Sequence, residues 1–502
     1  MERIETVSHT MQCSGLPLLA SYLPLGLAAE QLGAHPGRAP MHSGSTWEDH
    51  LAWGLDSTAA AVRLMMSLQP VGASIIARTQ LERWSSNLEF NSFIRQEPGE
   101  STVAWFNRLW SAPVVWPDGV ATPVGDLFGD ISELLHGRGP LMPLVWLDVA
   151  DVTDAPSSEH VRLLDTISDS LVVSLSHIRR CLATVAEARG RGYRAQTINM
   201  VRLVSPARGW VSDLRPFLFP LVPDQFRAVE GVLGATASGY RRVVSALRAG
   251  QRHDEPSELW PVLSFGAQRF RALILAEHAL KVERKMLGDR FDEMGIQSLA
   301  TEAVLAGEMA AMLALWLRPD SGRRLAADAL AVSASGLRSA QWLWLEDDDR
   351  AMGCLRCVIE QVARARTWRV RPDRAAKIEA NPKSTPRNWI EAAGWKRLNL
   401  LNRALGEFAH GSTRSNWDVA RNALVELQEN AAEDEARYTG RTHALAAMIF
   451  ILSVECAAWV DSFSSELGEA YRRVIRVDDA RADKAIEALM NRAWEKRGTP
   501  LR

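Results

Sequence analysis

The chain has 502 residues, of which 47% are hydrophobic and 24% are charged, and its formal net charge is -2. These values are typical of globular proteins, so they exclude a disordered or fibrous chain, and the length predicts several packed units. A nearly neutral chain gives no overall electrostatic reason to bind nucleic acid or a membrane surface. Its five cysteines are too few and too scattered for a disulfide framework, which indicates a reducing compartment.

The N-terminal segment carries acidic residues and prolines that do not fit a secretory signal peptide. The longest apolar run, residues 444–454, is about half the length that a membrane span needs, and Glu455 follows it. We therefore expect a cytoplasmic protein that does not bind a membrane.

Apolar residues recur at intervals of three and four residues in long stretches such as 55–68, 225–249, 269–287 and 422–452. This periodicity predicts amphipathic helices, so the predicted fold class is all-α. The exception is PLMPLVWLDVADV, residues 140–152, which the pattern predicts to be extended.

Two parts of the chain resemble each other. GDLFGDISELLHGRG (residues 125–139) and NLLNRALGEFAHGST (residues 399–413) both place a glutamate three residues before a His-Gly pair, a pattern written here as ExxHG. RTQLE (residues 78–82) and RCVIE (residues 356–360) precede them in the same order at similar spacing, and both have the pattern RxxxE. Ordered similarities of this kind predict an internal duplication of helical bundles.

The predicted organisation has five parts. It consists of an N-terminal segment (residues 1–44), helical unit A (45–195), a middle helical segment (196–319), helical unit B (320–478) and a C-terminal tail (479–502). We expect units A and B to pack as pseudo-symmetric bundles.

The ExxHG element has two interpretations. Its glycine is typical of a helix C-terminus, and a histidine in the last turn meets the negative end of the helix dipole. Its glutamate and histidine also share one helix face, so they could contribute to a polar site. The residues concerned are Glu133 and His136 in unit A, and Glu407 and His410 in unit B.

The RxxxE element also has two interpretations. Arg and Glu four residues apart form an ordinary pair on a helix surface. The aliphatic neighbours of both elements, however, indicate buried helices, and buried charges need partners. We therefore expect Arg78 and Glu82 to form a polar cluster with the ExxHG of unit A, and Arg356 and Glu360 to do so in unit B.

Together the two RxxxE and two ExxHG elements contain four glutamates and two histidines. A ferritin-like di-iron bundle uses the same number of each as metal ligands. Their long separation in sequence and the position of ExxHG at a helix end disfavour that geometry, so no metal or other cofactor is predicted.

Arg403 stands seven residues before His410, and this pair resembles the RxxxxxxH motif of HEPN ribonucleases, which are all-α domains of toxin and antiviral systems. The resemblance implies metal-independent RNA cleavage, in which His410 transfers protons and Arg403 contacts the scissile phosphate. It covers one motif, and unit A has Gly129 at the position of Arg403.

Three further features have structural interpretations. The eighteen tryptophans are predicted to anchor helix packing, and Cys354 and Cys357 are predicted to be core thiols. The acidic run of residues 346–350 is predicted to be a solvated helix end or loop.

Two functions follow from these patterns. The first is a non-catalytic binding, scaffold or regulatory protein with a polar cluster in each unit, whose partner is a protein or a second copy. The second is a HEPN-like ribonuclease of a defence or toxin system, for which RNA is the partner.

Overall fold

The structure is a computed structural model that describes residues 47–66, 69–111, 122–150, 158–188, 296–345, 348–381, 384–409 and 436–475, together with a few residues between 18 and 34. Within these ranges 84% of the residues are helical and no strand occurs. The all-α prediction is confirmed.

Six helices come from the first part of the chain. They are α1 (Trp47–Met66), α2 (Pro70–Ser92), α3 (Thr102–Trp110), α4 (Val124–Leu135), α5 (Met142–Ala150) and α6 (Ser158–Ala188).

Eight described helices follow in the second part. They are α7 (Ile296–Leu317), α8 (Arg324–Leu345), α9 (Arg350–Val370), α10 (Pro372–Glu379), α11 (Pro386–Ala392), α12 (Asn399–Ala409), α13 (Ala436–Asp461) and α14 (Ser465–Ile475). A short 3-10 turn, Lys396–Leu398, precedes α12.

Local sequence signals explain several helix ends. The Ser101 side chain accepts a hydrogen bond from the backbone N–H of Ala104 and so caps the start of α3. Proline occupies the first turn of α2, α10 and α11, where its missing N–H has no helical partner to lose. These signals are local and therefore readable from the sequence.

One hydrophobic core joins the two parts of the chain. Helix α8 packs against α7 and α9, and it also contacts α2 and α5 of the first part. Fully buried tryptophans lie in both parts, which agrees with their predicted role as packing anchors; examples are Trp84, Trp110 and Trp344. Cys354 and Cys357 are both buried on α9.

The boundary predicted at residue 319 separates helices that are packed together. Helix α7 belongs to the predicted middle segment, yet it packs mainly on α8 and α13 of unit B. Residues 196–295 and the predicted tail, 479–502, lie outside the described residues, as does most of the N-terminal segment.

The extended segment predicted at residues 140–152 is wrong, because residues 142–150 form helix α5. A short continuous apolar run fits a buried strand and a buried helix equally well. Helix α5 contacts α2, α6, α7 and α8, so burial on several sides explains its apolar character.

The prediction of a solvated acidic run after α8 is also wrong at its described residues. Asp348, Asp349 and Arg350 are buried. Arg350 pairs with Asp348 at 2.7 Å, and Arg441 of α13 pairs with Asp349 at 2.9 Å. Each of these buried carboxylates thus has an arginine partner. The partner of Asp348, Arg350, is near in sequence and is itself buried, and the partner of Asp349, Arg441, is distant in sequence.

One segment of the described helices, Ala444–Asp461 in α13, has the length and apolar composition of a membrane span, and 61% of it is buried within the fold. A core helix meets the same criterion, so this segment is weak evidence of a membrane protein. It contains Glu455, which pairs with Arg366 and Arg369 of α9.

The order of helix lengths is similar in the two predicted units. Each has two long helices, α1 and α2 or α8 and α9, followed by short helices and then a long one, α6 or α13. This order is compatible with a duplication, which stays a prediction from the sequence.

Candidate functional site

The C-terminal end of α4 lies against the side of α9. The last carbonyls of a helix have no partner within the helix, so they need donors from elsewhere. Gln361 Nε2 donates to the Leu135 carbonyl at 2.8 Å, and Arg364 Nη1 donates to the carbonyls of His136 and Gly137 at 2.9 and 3.2 Å. Helix α9 therefore completes the hydrogen bonding of α4.

Gly137 allows this approach. Its φ of +69° lies in the left-handed region that disfavours other residues. A Cβ atom at this position would lie 2.3 Å from Arg364 Nη1 and 2.8 Å from Gln361 Oε1. The glycine of the first ExxHG is therefore required both by the backbone turn and by the neighbouring helix.

The end of α12 makes the corresponding contact with α2. Thr79 Oγ1 lies 3.2 Å from the Ala409 carbonyl, and Cys357 Sγ lies 3.5 Å from the Leu135 carbonyl. Thr79 and Cys357 each directly follow the arginine of an RxxxE element, and Ala409 and Leu135 each directly precede an ExxHG histidine. Each ExxHG helix thus ends on the RxxxE helix of the other predicted unit.

His136 and Glu360 form the central hydrogen-bonded contact of the site. The imidazole Nδ1 lies 2.8 Å from Glu360 Oε1, and the two side chains are 33% and 7% exposed. On α2, Arg78 pairs with Glu82 at 3.1 Å, and both of these side chains are 14% exposed. The site thus combines one pair within α2 and one pair between α4 and α9.

Arg356 differs from Arg78. Within the described part of the chain, its guanidinium makes no hydrogen bond and no ion pair, and its Nε is buried. Glu360, the residue four positions later, is bonded to His136 instead. Gly406 of α12 packs beside this arginine, and a Cβ there would lie 3.4 Å from Arg356 Nε, at van der Waals contact.

These residues surround a cavity of about 240 Å³. Its wall comes from α2, α4, α9, the end of α12 and the segment that enters α11. The lining residues are Ile75, Arg78, Leu135, His136, Gly353, Arg356, Cys357, Glu360, Ser384, Thr385, Pro386 and Ala409.

Glu360 is held in its charged form. Burial raises the pKa of its carboxyl, but His136, Arg356 and Arg78 together outweigh burial and keep this pKa below its ordinary value. The Cys357 thiol beside it has the opposite environment, because burial and then Glu360 raise its pKa. A thiol with a raised pKa is a poor nucleophile near neutral pH.

The structure brings together only part of the predicted site. Arg78, Glu82, His136, Arg356 and Glu360 lie at one junction, so residues of both predicted units share it. The expected clusters within single units differ from this arrangement, since the His136 partner, Glu360, belongs to unit B.

Glu133 faces away from the junction. Its carboxylate bonds Arg138, with a shortest contact of 2.6 Å to Nε, and its side chain is 43% exposed. Glu133 and His136 are three positions apart, but His136 lies beyond the last helical residue of α4, where the helical spacing of side chains no longer holds.

The predicted unit B residues are only partly described. Arg403 is exposed on α12. Glu407 lies in the same helix, but its side chain is outside the described part of the structure. His410 lies outside the described residues. The geometry of the Arg403 and His410 pair is therefore not defined.

Gln361 and Arg364 were not predicted as site residues. They follow Cys357 at intervals of four and seven residues, so the three lie on one face of α9. Arg364 also binds both carboxylate oxygens of Glu379, at 3.0 and 2.6 Å. That spacing was visible in the sequence, although nothing in it indicates that α4 is the partner.

No group of three or more His, Cys, Asp or Glu side chains in the described ranges is arranged to hold a metal ion. Comparisons with protein families, with curated proteins and with solved structures found no match to this chain.

Proposed function

We propose that the chain is a non-catalytic binding or regulatory protein whose ligand occupies the cavity between α2, α4 and α9. One observation carries the proposal: charged side chains from both halves of the chain line a single cavity, and one of them, Arg356, makes no hydrogen bond or ion pair with a described group. A convergent polar cavity of this kind is the default candidate for a binding site.

The energetics favour a role beyond packing. A buried guanidinium nitrogen without an acceptor, such as Arg356 Nε, costs stability, and an apolar residue of similar size would avoid that cost. The Nε of Arg78 is also buried and unbonded, but Arg78 has in addition the pairing with Glu82 that a structural arginine needs. A residue that lowers stability at the edge of a cavity is typical of functional sites.

The position of the cavity suggests how binding would be transmitted. His136 and Leu135 of α4 and Arg356 and Glu360 of α9 all line it. A ligand that contacts both helices would stabilise their docking, because binding to one arrangement favours that arrangement. We therefore propose that occupancy of the cavity controls how firmly the end of α4 is held.

The cavity chemistry supports binding more than catalysis. Cys357 is buried with a raised pKa, and Glu360 is ionised and bonded to His136. Neither group is free to act as a nucleophile or as a general base.

A thermal-shift screen of small metabolites tests the proposal. The full chain is compared with Ser384→Trp, which places a large side chain at the cavity wall, and with Arg374→Gln, a change at an exposed residue of α10. We expect at least one ligand that stabilises the wild type and Arg374→Gln but not Ser384→Trp. Ligands that stabilise all three proteins equally, or none at all, would contradict the proposal.

The HEPN-like ribonuclease stays the alternative, with Arg403 and His410 as its catalytic pair. RNA is the partner under that alternative alone. Under the main proposal a protein partner or self-association is expected besides the ligand, and the cytoplasmic location stays an expectation from the sequence.

A further inference from the structure

We infer that the ligand of this cavity is a small organic monoanion, a carboxylate with a short apolar body, whose carboxylate pairs with Arg356. This inference rests on the proposed function and names the class of ligand.

The hydrogen bonding at the junction leaves one guanidinium without an acceptor among the described residues. Arg78 is paired with Glu82. Glu360 is bonded to His136, and this contact takes the carboxylate that would otherwise pair with Arg356. Of the two arginines in the described cavity wall, Arg78 leaves its Nε unbonded but pairs with Glu82, whereas Arg356 makes no hydrogen bond or ion pair with a described group.

A guanidinium has a planar fork of donors that matches the two oxygens of a carboxylate. Arg364, two turns further along α9, shows this geometry with both oxygens of Glu379. A ligand carboxylate would give Arg356 the partner that the protein supplies to Arg364.

The surroundings limit the charge of the ligand. Glu360 lies on the cavity wall, and both Glu82 and Glu360 are close enough to Arg356 to act on its charge. These two carboxylates repel anions, and a second negative charge on the ligand would have no free cation to meet it. One negative charge is therefore favoured over two.

The remaining wall accounts for an apolar body. Ile75, Leu135, Pro386 and Ala409 contribute apolar surface, while the hydroxyl-bearing residues Ser384 and Thr385 lie on the same wall. A cavity of about 240 Å³ limits the body to a short chain or a single ring. Burial of that body supplies the non-electrostatic part of the affinity.

The test uses two matched pairs of probes, butyrate with butyramide and benzoate with benzamide, and inorganic phosphate as a dianion. Binding to the full chain is measured by calorimetry at constant ionic strength. Each amide has nearly the shape of its acid but no charge. We expect the carboxylates to bind at least about tenfold more tightly than their amides and more tightly than phosphate, because charge-assisted hydrogen bonds are the stronger ones.

Three variants assign the effect to Arg356. Arg356→Gln should weaken carboxylate binding by about tenfold or more, and Arg356→Lys, which keeps the charge but loses the fork, should fall between that variant and the wild type. Arg374→Gln should bind like the wild type. The unfolding temperature of each variant shows that it is folded, and Arg356→Gln removes no described hydrogen bond.

Four outcomes would overturn the inference: amides binding as tightly as acids, phosphate binding more tightly than the carboxylates, carboxylate binding that survives Arg356→Gln, or no carboxylate binding at millimolar concentration. The proposed function fails separately. It survives any of these results if the metabolite screen finds a ligand of another class that Ser384→Trp excludes.

Discussion

His136 and Glu360 are 224 residues apart in the chain, yet the imidazole Nδ1 lies 2.8 Å from the carboxylate. This contact ties the end of α4 to the middle of α9. It also leaves Arg356 without the partner that Arg78 has in Glu82. This hydrogen bond thus adds to the contacts of Gln361 and Arg364 that dock α4 on α9, and it engages the carboxylate four positions after Arg356.

Glu360→Gln should destabilise the protein by about 3 kcal/mol, because it removes the buried negative charge that His136 contacts and that Arg356 and Arg78 face. Urea unfolding measures the loss. The matched control is Glu391→Gln, which removes an exposed pair with Arg387 and should cost less than about 1 kcal/mol. Equal losses of unfolding free energy in the two variants would show that the buried pair stabilises the protein no more than the exposed pair does.

The same substitution at two arginines of α9 should change the stability by different amounts. Arg364→Gln removes the bonds to Glu379 and to the α4 carbonyls and should cost about 3 kcal/mol. Arg356→Gln should change the free energy of unfolding by less than about 1 kcal/mol, since it removes no described hydrogen bond or ion pair. A large loss of stability in Arg356→Gln would mean that this arginine has a structural partner.

Gly137→Ala should lower stability more than Gly394→Ala. Both glycines have positive φ, +69° and +83°, so both substitutions carry a conformational cost of about 1 kcal/mol. Only at Gly137 would the new Cβ press against Arg364 and Gln361, so that variant should lose a further 1 kcal/mol or more, on the order of an overpacking cost. Thermal unfolding of both variants checks the difference, and equal effects would contradict the tight contact.

Stability should fall as the pH falls from 6.5 toward 4, through His177. Burial lowers the pKa of this imidazole to about 3, from the ordinary 6.5, and it packs against Trp84 and Trp110. The stabilising contribution is therefore fully present above pH 6.5. It is lost as the pH falls below 6.5, because His177 then binds a proton in the unfolded chain but stays neutral in the folded chain. The loss is about 2 kcal/mol between pH 7 and pH 5.

Denaturant unfolding at several pH values measures this dependence. His177→Gln should have a shallower slope than the wild type over the same range, since its side chain does not titrate. Parallel slopes would show that His177 is exposed to protons in the folded state.

The ribonuclease alternative is tested by incubating RNA with the purified chain in the presence of a chelator. Under the main proposal we expect no degradation. Degradation that is lost in both Arg403→Ala and His410→Ala, at unchanged unfolding temperature, would establish the alternative and contradict the non-catalytic function.

The helical class and much of the core were predictable from the sequence, because the spacing of apolar residues is a local property. The stretch at residues 140–152 was not, because a short apolar run has no period that separates strand from helix. The buried Asp348 and Asp349 were missed for a different reason. Their arginine partners, Arg350 and Arg441, are recognisable as partners only once the chain is folded.

The candidate site shows the same limit. The sequence named Arg78, Glu82, His136, Arg356 and Glu360, because two repeated patterns contained them. It could not show that the ExxHG helix of each unit ends on the RxxxE helix of the other unit. The pairing of His136 with Glu360 depends on where the ends of α4 and α12 dock in the folded chain. Glu133 was grouped with His136 by helical spacing, which stops applying where α4 ends.

The exchanged docking of the helix ends also affects how the chain can fold. The Leu135 carbonyl at the end of α4 is bonded by a donor on α9 that lies 226 residues further on. All-α proteins usually fold quickly because their contacts are local, and loop closure over hundreds of residues slows that process. During synthesis the first half would therefore emerge with an unfinished helix end, and a chain cut between α6 and α7 should assemble only when both fragments are present.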